Sequence, residues 1–126
     1  MSRLFVLACS MVLLISCQLS GQNNYSLSPQ VFEEKSKEAG IQLLDVRTPE
    51  EFNSGKLANS INIDFHAPDF KEQIATLDKS KTCYIYCRSG NRSHKAGVMM
   101  EEMKFNKVVD MGDGIVGWQE NGFSVE

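Results

Sequence analysis

The sequence predicts a single α/β domain with a mainly parallel central sheet and helices on both of its faces. Short apolar runs that suit buried strands alternate along the chain with segments that carry helix start and stop signals. Parallel strands require such helical crossovers between them. The composition, with 42% hydrophobic and 23% charged residues, is that of a globular chain with a modest core.

The elements follow one another from residue 28 onward. Ser28 and Pro29 supply the N-cap and the first turn of a helix that is expected to end at Gly40. Thr48 and Glu51 form a capping box at the start of a second, brief helix. The predicted strands are 41–46, 60–64, 83–86 and 107–111. The predicted helices are 29–40, 49–55, 68–77, 91–104 and 115–121.

The first sixteen residues are predicted to be an export signal rather than part of the fold. Arg3 precedes an apolar run that is shorter than the ~20 residues needed to span a bilayer. The run ends in Leu14-Ile15-Ser16-Cys17, which resembles the lipobox of bacterial lipoproteins, and an ordinary signal peptide is the alternative. The resemblance implies a lipid on Cys17 that anchors the exported chain to a membrane, facing the periplasm or the cell surface. The predicted divisions are a signal peptide at 1–16, a lipid-anchored tether at 17–27 and the folded domain at 28–126.

Two cysteines remain in the predicted domain, Cys83 and Cys87. If residues 83–86 form a strand, the two Cα atoms lie ~13 Å apart, which is beyond disulfide reach. Cys87 is therefore predicted to be a free thiol and Cys83 a buried strand residue. Two histidines and an isolated cysteine do not make a metal site, and neither a metal nor another cofactor is expected. The net charge of −3 and the lack of a basic run argue against a nucleic-acid partner, and a monomer is expected.

The segment that follows the third predicted strand carries the candidate chemistry. It begins with Cys87, and Gly90 and Asn91 are the residues best able to adopt the positive φ that a tight curl needs. Such a curl turns successive amides inward as an anion-binding nest, and the helix that follows adds the positive end of its dipole.

Charged and hydroxyl side chains within the same segment strengthen this expectation. Arg88 and Arg92 add two positive charges, with Arg92 the one expected to point at the ligand, and Ser93 is placed to donate a hydrogen bond to the sulfur. Together these groups favour the thiolate form of Cys87. A thiolate of this kind attacks an outer sulfur atom, holds it as a persulfide and passes it to an acceptor.

This segment, Cys87-Arg88-Ser89-Gly90-Asn91-Arg92-Ser93, resembles the active-site loop of the rhodanese family. Further matching segments, in the family's order, are Leu44-Asp45-Val46-Arg47, Pro49-Glu50-Glu51-Phe52 and Gly114-Ile115-Val116-Gly117-Trp118. The resemblance covers roughly residues 28–126. It implies a rhodanese-like fold, Cys87 as the catalytic residue, and residues 88–93 as the substrate-binding loop.

Three functions remain open at this stage. The first is a sulfurtransferase that moves sulfur from thiosulfate or a persulfide to a thiol or to cyanide. The second is a sulfur carrier or redox-responsive binding module without fast turnover. The third is a Cys-dependent phosphatase, which the loop disfavours: four residues separate Cys87 from Arg92, whereas the related phosphatases have five.

Overall fold

The computed structural model describes residues 24–126, which form one sheet and the helices around it. The strands are β1 (Asn24–Leu27), β2 (Gln42–Asp45), β3 (Ile61–Asn62), β4 (Thr82–Tyr86) and β5 (Lys107–Met111). The helices are α1 (Pro29–Lys35), α2 (Pro49–Ser54), α3 (Phe70–Ile74), α4 (Asn91–Glu102) and α5 (Gly114–Glu120).

All neighbouring strands run parallel, in the order β1-β5-β4-β2-β3. The predicted α/β class is thus confirmed, and β4 is the central strand. Because every strand points the same way, the loops that follow β2, β4 and β5 meet at one edge of the sheet. In open parallel sheets this carboxyl edge is where ligands collect.

Two apolar layers cover the sheet. Side chains alternate along β4, so Cys83, Ile85 and Cys87 face α3 and α4, whereas Tyr84 and Tyr86 face α1 and α5. The first layer includes Phe70 and Ile74 of α3 with Ala96 and Met100 of α4. The second includes Phe32 of α1 with Ile115 and Trp118 of α5. The thiol of Cys87 therefore lies on the α4 side of the central strand.

Two helix starts, those of α1 and α2, are the ones that the sequence predicts. The Ser28 hydroxyl accepts a hydrogen bond from the Val31 amide, and the reciprocal capping box of Thr48 and Glu51 is complete. The helix ends are less well predicted. α1 ends at Lys35 rather than near Gly40, and α3 is shorter at both ends than the predicted 68–77.

Strand β1 corrects the predicted tether at 17–27. All four residues of β1 pair in parallel with β5, in a register that joins Asn24 to Val108 and Leu27 to Met111. The backbone of these residues gains a ladder partner, so they belong to the sheet and not to a flexible linker. The rest of the predicted tether, Cys17 and the predicted signal peptide lie outside the described residues.

Within residues 24–126, no helix combines the length and the apolar character that crossing a bilayer requires. The same part of the chain contains no group of three or more His, Cys, Asp or Glu side chains arranged to hold a metal ion.

Candidate active site

Cys87 stands directly after the central strand, at the carboxyl edge of the sheet. Its side chain is a free thiol and only 1% exposed. Cys83, two pleat repeats earlier on the same face, is also free and fully buried, and burial raises the pKa of its thiol to about 12. The two cysteines are unpaired, as the strand geometry predicts, and Cys83 is held in the unreactive thiol form.

Two amides in the first turn of α5 donate hydrogen bonds to the backbone carbonyls of Cys87 and Arg88. The Ile115 amide donates to the Cys87 carbonyl at 2.9 Å, and the Val116 amide donates to the Arg88 carbonyl at 3.1 Å. These bonds turn the first two carbonyls of the loop towards α5.

Two glycines allow this loop to touch the β5–α5 turn backbone to backbone. Gly90 has φ of 99°, and a Cβ there would lie 2.1 Å from the Gly112 carbonyl oxygen. Gly114 has φ of 62°, and its Cβ would lie 2.2 Å from the Arg88 carbonyl oxygen. Both positions combine a left-handed backbone with contact too close for any side chain. The sequence predicts the positive φ at Gly90, but Asn91 is already the first residue of α4 and does not share it.

The Cys87 sulfur has two polar contacts within the loop. The Gly90 amide donates to Sγ at 3.1 Å, and the Ser93 Oγ lies 3.4 Å from Sγ. Ser93 is fully buried, and its hydroxyl also donates to the Gly90 carbonyl at 3.3 Å. A main-chain donor and a hydroxyl thus converge on the sulfur, which is the arrangement that stabilises a sulfur anion.

Further amides of the loop remain available to an anion. Among the hydrogen bonds of residues 24–126, none uses as a donor the amide of Arg88, Ser89, Asn91, Arg92 or Ser93. The last three open α4, where the helix dipole favours negative charge. Arg88 and Ser89 are exposed at the surface.

The Arg92 guanidinium, which the sequence predicts to point at the ligand, forms an ion pair with Glu51 in this structure. Its Nη1 lies 2.7 Å from Glu51 Oε1, and its Nη2 lies 2.9 Å from Glu51 Oε2. This two-point hydrogen bond lowers the pKa of Glu51 to about 2. Glu51 is also part of the capping box of α2, so its ion pair with Arg92 connects the start of α2 to the first turn of α4.

A buried polar network supports the sheet on the opposite face of β4. Arg47 Nη2 lies 2.7 Å from Asp45 Oδ2 and donates to the Gly55 carbonyl at 2.6 Å. The Tyr86 hydroxyl accepts from the Leu57 amide at 3.1 Å, and burial, followed by the charge of Asp45, raises the pKa of Tyr86. This network fixes Tyr86, the residue immediately before Cys87.

One buried carboxyl group near the thiol was not predicted from the sequence. Asp110 of β5 is 2% exposed, and its Oδ1 has no hydrogen-bond partner within residues 24–126. Burial raises its pKa, while the Ser93 hydroxyl and then His94 act in the opposite direction. The sequence signal was a lone acidic residue between Val109 and Met111 in an apolar strand.

Two cavities of the described residues lie away from the thiol. One of about 620 Å³ is bordered by α1, the segment 57–59 and Trp118, and another of about 210 Å³ lies near Tyr25 and Lys107. Neither contains the loop that follows Cys87.

Comparisons with known proteins agree with this architecture. The family model described as "Rhodanese-like domain" matches residues 28–121. "Thiosulfate sulfurtransferase 16, chloroplastic" of Arabidopsis thaliana is 36% identical over 94 residues, which cover 67% of this chain and 78% of that protein. The crystal structure of a rhodanese-related protein from Thermoplasma volcanium has a TM-score of 0.72 and 33% identity, covering 81% of this chain and 97% of that one.

A relative of different function also contains a matching segment. The tRNA uridine(34) hydroxylase of Pelagibacter ubique is 28% identical over 108 residues, which cover 85% of this chain but 36% of that protein. The similarity thus extends to about a third of a longer enzyme with another reaction.

Proposed function

Because the chain belongs to the rhodanese-like domain family, we propose that it is a sulfurtransferase that carries sulfur on Cys87 as a persulfide. The observation that carries this proposal is the convergence of the Gly90 amide and the Ser93 hydroxyl on Sγ, beneath a helix start whose amides are unused. Such a cradle stabilises a negative charge on the inner sulfur and, after transfer, on the outer one.

The first half-reaction loads the sulfur. The Cys87 thiolate attacks the outer, sulfane sulfur of thiosulfate, a new S–S bond forms, and the bond to the sulfonate sulfur breaks. Sulfite leaves with that electron pair, and the outer sulfur remains on Cys87 as an anionic persulfide. The amides of the α4 first turn are placed to bind the oxyanion of the donor and then the persulfide. A low-molecular-weight persulfide can serve as donor by the same displacement.

The second half-reaction transfers the outer sulfur from Cys87 to an acceptor. A thiol or cyanide acceptor attacks the outer sulfur, the persulfide S–S bond breaks, and its electron pair returns to Cys87 as thiolate. No external oxidant or reductant is needed, because the sulfane sulfur moves with its oxidation state unchanged. Two displacements on one thiol predict ping-pong kinetics.

The near-complete burial of Cys87 favours a second candidate, a sulfur carrier that releases its cargo slowly. With 1% of the side chain exposed, a small acceptor reaches the outer sulfur more easily than Sγ itself. A carrier would accumulate the persulfide yet give little product with cyanide. A phosphatase function is less well supported, because Arg92, which would have to hold the phosphate, is bound to Glu51.

Thiocyanate formation from thiosulfate and cyanide tests the proposal, with Cys87→Ser as the variant and Cys83→Ala as the matched control. We expect Cys87→Ser to abolish turnover and the added sulfur mass, whereas Cys83→Ala keeps both, since Cys83 is a fully buried core residue. Persulfide without turnover would identify the carrier. Equal activity in Cys87→Ser would overturn the mechanism.

We further propose that the domain is exported and attached to a membrane through a lipid on Cys17. The support is the lipobox-like sequence Leu14-Ile15-Ser16-Cys17 after an apolar run. Metabolic labelling with palmitate tests this, and Cys9→Ala is the matched control because Cys9 lies within the predicted signal. We expect Cys17→Ala to lose the label and Cys9→Ala to keep it. Equal labelling of the Cys17 variant would contradict the anchor.

A further inference from the structure

Asp110 and Cys87 come from neighbouring strands and share one face of the sheet. The register of β4 and β5 pairs Ile85 with Asp110, which places Asp110 one pleat repeat before the level of Cys87. Side chains alternate along β5, and Val108 packs in the layer beneath α4, so Asp110 also faces α4. Ser93, in the first turn of α4, lies above both residues.

Ser93 lies between the carboxyl and the sulfur. Its Oγ is 3.4 Å from Cys87 Sγ, and its hydroxyl acts to lower the pKa of Asp110, although no hydrogen bond joins Ser93 to Asp110 among the described residues. In the thiol form of the site, the Cys87 S–H donates to Ser93 Oγ and the Ser93 hydroxyl donates to the Gly90 carbonyl. When the sulfur ionises, it needs a donor, and the Ser93 hydroxyl is the side-chain group in place to turn towards it.

The surroundings of Asp110 favour the uncharged acid. The residue is 2% exposed and its Oδ1 has no partner within residues 24–126, an arrangement that is costly for a carboxylate and much less so for a neutral acid. The ionisable groups around it are His94 on α4 and Cys87 after β4, whereas β1 presents Ser26 at the matching register position. The charge of Arg92 is directed at Glu51.

We propose that Asp110 is a positioning residue whose neutral carboxyl group donates to Ser93 Oγ, so that the Ser93 hydroxyl donates to the anionic sulfur of Cys87. The inference rests on the proposed use of Cys87 as a sulfur anion, and it assigns the control of that anion to a side chain on the next strand. An ionised Asp110 would act in the opposite way, because it would accept the Ser93 hydrogen and place a second negative charge near the sulfur.

The titration midpoint of Cys87 in the full-length chain tests the proposal without requiring turnover. Thiolate absorbance is recorded against pH for each variant, and the curve of the same variant with Cys87→Ser is subtracted. Asp110→Val keeps strand preference but can neither donate nor accept, and we expect it to raise the midpoint by about 0.4 to 1 pH unit, the equivalent of one lost hydrogen bond. Ser93→Ala should raise the midpoint by a similar amount, and adding Asp110→Val to it should change little.

Asp110→Asn is the conservative variant that separates positioning from packing. The Asn amide still donates to Ser93 Oγ, so the midpoint should stay near that of the wild type. A midpoint lowered by about one pH unit or more in Asp110→Asn would show that a negative charge had been removed, and would overturn the proposal. This measurement decides the question even if Asp110→Val fails to fold.

A wild-type midpoint in Asp110→Val, or a shift that persists in the Ser93→Ala background, would equally overturn it. Failure of the sulfurtransferase proposal would appear separately, as missing persulfide on wild-type Cys87 with the midpoint differences intact.

Discussion

Two buried aspartates lie on the strands on either side of the central strand. Within residues 24–126, one has hydrogen-bond partners for both of its carboxylate oxygens, whereas the other does not. Asp45, the last residue of β2, receives the Arg47 guanidinium at two points and the Arg47 amide at 2.9 Å. Asp110, in β5 on the other face of the sheet, has an oxygen without a partner. The first arrangement is that of a structural ion pair, whereas the second leaves a carboxyl whose protonation and hydrogen bonding are still free to change.

The largest expected effect comes from removing the ion-pair partner of Asp45. Arg47→Leu leaves Asp45 buried without its partner, so we expect a loss of about 3 to 5 kcal/mol in the free energy of unfolding. Urea denaturation measures it, and Asp45→Asn in the same background is the control that should recover part of the loss. A loss below about 1 kcal/mol would mean that water replaces the guanidinium and that Asp45 is not isolated.

Removing the charge of Asp110, whose Oδ1 has no partner among the described residues, should instead raise the free energy of unfolding. The folded-state pKa of Asp110 is raised, so the contribution of this residue to stability is largest below the unfolded pKa, near 3.8, and is lost as pH rises through the folded value. Asp110→Asn cannot ionise and escapes this loss, and we expect it to be more stable than the wild type by roughly 1 kcal/mol at alkaline pH. The two proteins should converge in acid. A difference independent of pH would point to packing alone.

Glu51 adds a third case to the comparison, because its carboxylate is paired yet partly exposed. The pKa of Glu51 is lowered to about 2, so its contribution is present above the ordinary value of 4.5 and is lost as pH falls from 4.5 towards 2. Solvent screens this pair, and we expect Glu51→Gln to cost only about 0.5 to 1 kcal/mol at neutral pH. Thermal unfolding at neutral pH and near pH 2 measures this, with the difference disappearing at the lower pH. A difference that survives there would have to come from the capping box instead.

The sequence predicts the parts of the fold that depend on neighbouring residues. The run at 107–111 gives β5 its observed bounds, and Thr48 with Glu51 forms the expected capping box. β1 was missed because its four residues include two polar ones and its stability comes from β5, more than eighty residues away. Local periodicity contains no information about such a partner.

The same limit applies to the candidate site. Cys87, Gly90 and Ser93 lie within one short segment, so their association follows from the motif. Glu51 is 41 residues from Arg92, and nothing local indicates that it binds the guanidinium. Asp110 likewise reaches the thiol only because β5 lies beside β4. Chemistry inside one loop was predictable, whereas contacts between strands and helices needed the fold.

The parallel course of β1 has a consequence for orientation at a membrane. Asn24 lies at the amino edge of the sheet, level with Cys83 on β4, while Cys87 lies at the carboxyl edge. If Cys17 carries lipid, the seven residues from it to Asn24 span at most about 25 Å, so the amino edge would be held close to the headgroups. The thiol would then face the aqueous compartment on the far side of the domain, and a water-soluble partner could collect its sulfur without approaching the bilayer.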